Sequence, residues 1–157
     1  MSIRFGICIS CPSRLNSLSR NWILRRLEDA REAVYPRDLI YLLKEAIPPE
    51  RERLREGQRI AEDAVLSRQS LSDALDPTSR QRVDAVREEF PELVDTLEKL
   101  RGLNASGPSE RLKERGVAPN MIELLTEAGV LSLSQRGEYA VPDLYRHGLD
   151  MPRMGPR

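Results

Sequence analysis

Cys8 and Cys11, set in Cys8-Ile9-Ser10-Cys11, are the residues whose type and spacing first suggest chemistry. A C-x-x-C can give two thiolates to zinc or form a redox couple. A structural zinc site needs two more ligands, and the single histidine, His147, lies at the far end of the chain. A redox couple needs a thioredoxin-like strand and sheet around it, and no such βαβ pattern surrounds this one. The pair therefore reads as two incidental thiols in a reduced compartment. His147 has no serine, cysteine or carboxylate at a spacing that recommends a triad, and reads as packing or hydrogen-bonding beside a hairpin. Glu88-Glu89 and Glu123/Glu127, without ligating histidines, read as solvated helix faces. The sequence has no G-x-x-x-x-G-K-[ST] and no hydrophobic strand ending in a magnesium-binding Asp. No catalytic residue and no metal ligand is assigned, and the chain is read as no enzyme by itself.

Composition narrows the class. Basic and acidic residues number 25 each, so no global field draws the chain toward nucleic acid or an anionic membrane. At 39% hydrophobic but only 4% aromatic, the core must be built from Leu, Val, Ile and Ala, and wholesale disorder is excluded. Apolar runs are a few residues long, against the roughly 20 needed to span a bilayer. The apolar start is interrupted by Arg4, Cys8 and Cys11, with no long h-region or cleavage pattern. A cytoplasmic protein without a membrane partner is expected.

The elements that would position side chains are mostly helices. Residues 1–20, rich in Ser and Arg, read as a loosely ordered basic arm. Asn21 is a plausible N-cap for a helix carrying Trp22, Ile23, Leu24 and Leu27 and ending near Val34, before Pro36. Pro36 opens a second helix, where its missing N–H costs nothing. Leu39, Ile40, Leu42, Leu43, Ala46 and Ile47 predict that this helix is buried through a wide apolar face, with Pro48-Pro49 ending it. The charge-alternating stretch from Glu50 to Glu56 reads as an exposed connector. A third helix is expected from about Ile60 to Leu75, broken by Asp76-Pro77. Ser79 then caps a helix through Val83, Val86 and Phe90. Pro91 kinks it or starts the next helix, which carries Leu93, Val94, Leu97 and Leu100 and stops at Gly102.

Asn104 to Pro108 reads as a linker, dividing a helical domain (21–103) from a C-terminal one (104–157). There, Ser109–Arg115 makes a short helix stopped by Gly116. Pro119 starts a longer one with Met121, Ile122, Leu124, Leu125 and Ala128 on its apolar face. Val130–Ser134 and Glu138–Val141 alternate as strands around Gln135-Arg136-Gly137. Pro142 opens a last short helix with Leu144 and Tyr145. The fold class is thus mainly α, a helical bundle followed by a winged helix-turn-helix with a small β-hairpin wing. Trp22 and Tyr145 read as core anchors rather than base-stacking platforms. A recognition helix in a major groove needs Arg, Lys, Asn or Gln outward, whereas residues 120–128 present Asn120, Glu123, Thr126 and Glu127. Arg111, Lys113, Arg115 and Arg136 remain candidates for weak nucleic-acid backbone contacts.

Tyr35-Pro36-Arg37-Asp38-Leu39-Ile40 resembles the Pro-Arg-Asp motif in the helical lid of KAP-type and related STAND and AAA-like P-loop ATPases. Gly129-Val130-Leu131, with the stretch from Gly137 to Leu149, resembles the winged helix that closes many bacterial ATPases of this kind. The likeness covers about residues 21–157. It implies a non-catalytic C-terminal fragment, truncated or split from a longer protein, that acts as a nucleotide-sensing lid and a winged-helix docking or regulatory module. ATP and magnesium are implied only for the nucleotide-binding domain, which this chain would meet in cis or in trans. Within the resemblance, Arg37 is similar to a sensor arginine. Its place near a helix N-terminus, where the dipole favours anions, suits bidentate contact with phosphate. An ordinary ion pair of Arg37 with Asp29 or Glu45 is the other reading. The alternative function is a free-standing winged-helix DNA-binding protein, best supported by the basic run from Arg4 to Arg26, with no acid before Glu28.

Overall fold

The computed structural model describes residues 14–58 and 65–152, with side chains from Asn21 onward. Cys8, Cys11 and the arm up to residue 13 lie outside the described residues, as does the start expected for the third helix.

Helix α1 spans Arg14–Leu27, so residues 14–20 are helical rather than part of an arm, and Asn21 lies inside the helix. The helix stops well before Val34 because Asp29 captures the backbone beyond it. Its Oδ1 accepts the N–H groups of Arg31 (2.8 Å) and Ala33 (2.9 Å), an alternative to continued helical pairing. Tyr35 is extended, as a residue before proline must be, and Pro36 is the first residue of α2, Pro36–Arg55.

Helix α2 departs from expectation twice. It continues through Pro48-Pro49 as one helix. Both rings hold helical φ, and burial of Ala46 before them and Glu50 after them keeps the axis in place. Its apolar residues also do not all face inward: Leu42 and Ala46 are buried, but Ile40, Leu43 and Ile47 are exposed. The charged stretch that follows is the last turn of α2, and Glu50 within it is buried. Its Oε2 accepts the Ser67 N–H at 2.6 Å, and Ser67 caps α3, Arg68–Asp73, by accepting from the Ser70 N–H.

Helix α4, Leu75–Glu89, starts before Asp76-Pro77 and holds Pro77 in its first turn. Ser79 is therefore inside the helix and buried. Pro91–Leu93 form a 3₁₀ turn that leads into α5, Val94–Leu100.

The stretch taken as a linker contains a strand, β1, Ser106–Pro108. After it come α6 (Glu110–Glu114), α7 (Pro119–Glu127), β2 (Ser132–Leu133), β3 (Glu138–Ala140) and α8 (Asp143–Arg146). β3 lies between β1 and β2 in a three-stranded antiparallel sheet, with Gly107 and Leu133 both opposite Tyr139. Two helices followed by a β-hairpin, with an earlier strand closing the sheet, give the mainly helical fold with a small wing that the pattern predicts. One apolar cluster runs through both regions, from Leu27 and Leu42 to Tyr145 and Leu149. Helix α8 packs on α4 and α1, and α2 packs on α3 and α4. Among the described residues no helix is long and apolar enough to cross a membrane.

Candidate functional site

The Pro36-Arg37-Asp38 turn separates two neighbouring charges. Asp38 is 1% exposed, with Oδ2 3.9 Å from Nε of Arg82 on α4. Burial raises the Asp38 carboxyl above the usual carboxylate range, against the opposing pull of Arg82 and then Arg37. Arg82 is itself buried. Its guanidinium lies over the Tyr35 ring (4.4 Å to the centroid), and Nε reaches the Tyr145 hydroxyl at 3.3 Å. This cluster joins the start of α2 to α4 and α8.

Arg37 faces outward. It makes no hydrogen bond or ion pair with another described residue, so neither Asp29 nor Glu45 is its partner. Asp29 is occupied elsewhere: its Oδ2 accepts from Arg31 Nη2 and from the Tyr35 hydroxyl, each at 3.2 Å. Burial alone would raise the Asp29 carboxyl. The N–H groups of Ala33 and Arg31, together with the Arg31 guanidinium, outweigh that and hold it below its ordinary value. Arg37 instead lines an open groove of about 440 Å³ with Tyr41, Pro77, Arg80, Gln81, Asp84 and Glu88. Arg80 is held by Asp76 at 3.0 Å, which leaves Arg37 as the groove's uncommitted cation.

The basic residues of the C-terminal region gather less tightly. Arg111, Lys113 and Arg115 are exposed on α6, and Arg136 is exposed in the wing turn. The Ser109 N–H donates to the Gly137 carbonyl at 2.8 Å, which sets the wing turn beside the start of α6. Exposed Glu110, Glu114 and Glu138 stand among these cations. The outer face of α7 shows Asn120, Glu123 and Glu127, while the Thr126 hydroxyl donates to the Ile122 carbonyl. The end of α7 is tied to the helical region: Arg31 donates to the Glu127 carbonyl (2.9 Å) and the Ala30 N–H to the Gly129 carbonyl (2.8 Å). Gly129 has φ of +73°, and a Cβ there would lie 2.5 Å from Asp29 Oδ2, so only glycine suits both its conformation and its neighbour.

His147 lies beside α4 rather than the hairpin, with Nδ1 3.9 Å from Asp76 and Nε2 2.8 Å from Arg146. Burial, then Arg146, pushes its pKa down, so the ring is neutral near pH 7 and Nε2 accepts from the guanidinium. Among the described residues no group of three or more His, Cys, Asp or Glu could hold a metal ion.

No family model, curated protein or solved structure matches the chain. The lid reading therefore rests on the residues themselves. Sequence reasoning missed Arg82 and the role of Asp29. The signal for Arg82 was an arginine standing in the inward row Ser79, Arg82, Val83 and Val86 of α4.

Proposed function

We propose that this chain is a non-catalytic docking module of a P-loop ATPase: a nucleotide-sensing helical lid joined to a winged helix. It would meet the ATP- and magnesium-holding domain in cis or in trans, in the cytoplasm. The supporting observation is the division of labour within one turn. Asp38 is buried facing Arg82 of α4 at 3.9 Å, while Arg37 beside it is exposed and has no partner among the described residues. A guanidinium at the start of a 20-residue helix adds its charge to the dipole's, and its planar fork fits phosphate oxygens. Arg37 would thus report the terminal phosphate of a nucleotide held by the other domain, and α2 would carry that contact into the body of the module.

The test pairs the purified chain with a P-loop protein recovered on it in the presence of ATP and magnesium. The parent chain should change that protein's ATPase rate, and Arg37→Ala should reduce the change by about tenfold or more, the scale of losing a hydrogen bond to a charged group. An effect indifferent to Arg37, or no P-loop partner, overturns the reading. In a salt series with duplex DNA, tight binding lost on changing Arg111, Lys113, Arg115 and Arg136 would instead establish a DNA-binding protein.

A further inference from the structure

Helix α2 carries more apolar side chains than the core takes. Leu42 and Ala46 are fully buried, whereas Ile40, Leu43, Ile47 and Leu54 remain 67%, 38%, 41% and 50% exposed. At about 100° per residue these four fall within one sector roughly 60° wide, and from Ile40 to Leu54 the stripe is about 21 Å long. The adjoining sector holds Arg37, Lys44, Arg51 and Arg55, all exposed, and no acid; Glu45 and Glu52 lie further round. Arg51 makes no ion pair with a described residue, and Lys44 lies over the Tyr41 ring at 5.9 Å. Arg55 reaches Glu52 at 3.1 Å, but both are largely exposed, so that pair holds it weakly. On α4 and just after α5, by contrast, the arginines Arg80, Arg87 and Arg101 each find an acid.

An aliphatic stripe with cations along one border selects its occupant. A second copy laid antiparallel would set the cationic border against itself, and one laid parallel would set it against the flank of Leu39, Ala46 and Glu50, which offers no exposed acid. A helix lying in an anionic membrane carries cations on both flanks of its apolar face, whereas here they follow one border only and Glu45 and Glu52 lie beyond them. We propose that the outer face of α2 docks an acidic amphipathic helix of a partner protein. The partner's aliphatic side chains would lie among Ile40, Leu43, Ile47 and Leu54, with its carboxylates against Lys44 and Arg51. This goes beyond the nucleotide reading and needs no phosphate; Arg37 stands at the end of the stripe and is left unchanged in the test.

The full chain is titrated with a synthetic amphipathic helical peptide bearing a leucine stripe bordered by glutamates, and with the same peptide bearing lysines. Phosphatidylserine vesicles are titrated in parallel, and self-association is followed by sedimentation. The acidic peptide should bind and shift the methyl resonances of Ile40, Leu43 and Ile47. Ile40→Ser/Ile47→Ser should weaken it about tenfold or more, as loss of central apolar anchors does. Lys44→Glu/Arg51→Glu should reverse the preference to the lysine peptide, which a merely sticky surface would not do. Equal binding of both peptides, shifts confined to other elements, vesicle binding in place of peptide binding, or self-association abolished by the serine pair would each overturn the proposal. Because all four positions are exposed, both double variants should unfold at the parent temperature; a serine pair that does not is replaced by Ile47→Ser alone, and a glutamate pair by Lys44→Glu alone.

Discussion

Gly116, Gly129 and Gly137 turn the C-terminal region at φ of 75°, 73° and 76°, and its elements meet mainly through apolar residues and backbone hydrogen bonds. The helical region also turns at glycines, Gly57 at φ of 79° and Gly102 at 73°, but it joins its elements to one another differently. Asp29 ties down the loop after α1, Asp38 and Arg82 join α2 to α4, and Glu50 with Arg53 joins α2 to α3. Turns set by glycine depend on sterics and are indifferent to pH. Joints set by buried charge depend on every partner being present and ionised as the fold requires. The two regions should therefore fail in different ways.

The largest effect should come from the charge joint with the most contacts. Arg82→Met leaves Asp38 buried without its cation and Tyr145 without its donor, and should cost about 3 kcal/mol or more in urea unfolding. A loss below about 1 kcal/mol would show that apolar packing, which methionine retains, and not the guanidinium holds α2 to α4. Next is a steric joint. Gly148 is buried against α4, and a Cβ there would stand 2.6 Å from the Ser79 carbonyl oxygen and 2.7 Å from Val83. Gly148→Ala should cost about 1–3 kcal/mol, the range for overpacking, and by the same amount at pH 5 and pH 8.

Asp29→Asn sharpens the contrast through its pH dependence. The folded carboxyl lies below its ordinary value, so the stability it contributes is present above the unfolded value of about 3.9 and lost as pH falls through the folded one. The variant should be less stable by about 1.5–3 kcal/mol at pH 7, and the gap should narrow below about pH 4. Thermal unfolding across pH would read this directly, and a constant gap would refute it. Smallest of all, Arg136→Ala in the exposed wing turn should change stability by no more than about 0.5 kcal/mol.

The same contrast explains what could be read from residue order. Gly116, Gly129, the Gln135-Arg136-Gly137 turn and Pro142 are local signals, and the helices and hairpin of the C-terminal region follow them, though the first hairpin strand is only Ser132–Leu133 rather than Val130–Ser134. Only β1 was hidden, because Ser106-Gly107-Pro108 has no strand character of its own and is a strand by pairing with β3. In the helical region Pro36 starts a helix and Gly102 follows the end of one as expected, but other local signals misled. Pro48-Pro49 looked like an ending and is crossed; Asp76-Pro77 looked like a break and is a first turn. Asn21 looked like a cap and is interior, since the helix starts at Arg14; at its other end the terminator is Asp29, acting through a loop that periodicity does not describe. At the candidate site, Arg37 was visible from its motif. Arg82 and Tyr145, 63 residues apart in sequence, become neighbours only in the fold.

That separation has a consequence for synthesis. Arg82 leaves the ribosome with Asp38 and Tyr35 already made, but its hydroxyl partner on Tyr145 is still to come. At roughly 5–20 residues per second, the interval is about 3–13 s. Throughout it the inner row of α4, from Ser79 to Val86, lacks the α8 surface that later covers it. The nascent chain thus carries a half-dry helix with a buried-type arginine on it. In that row the arginine acts as a gatekeeper, keeping a transiently bare surface less prone to sticking than leucine would until α8 arrives.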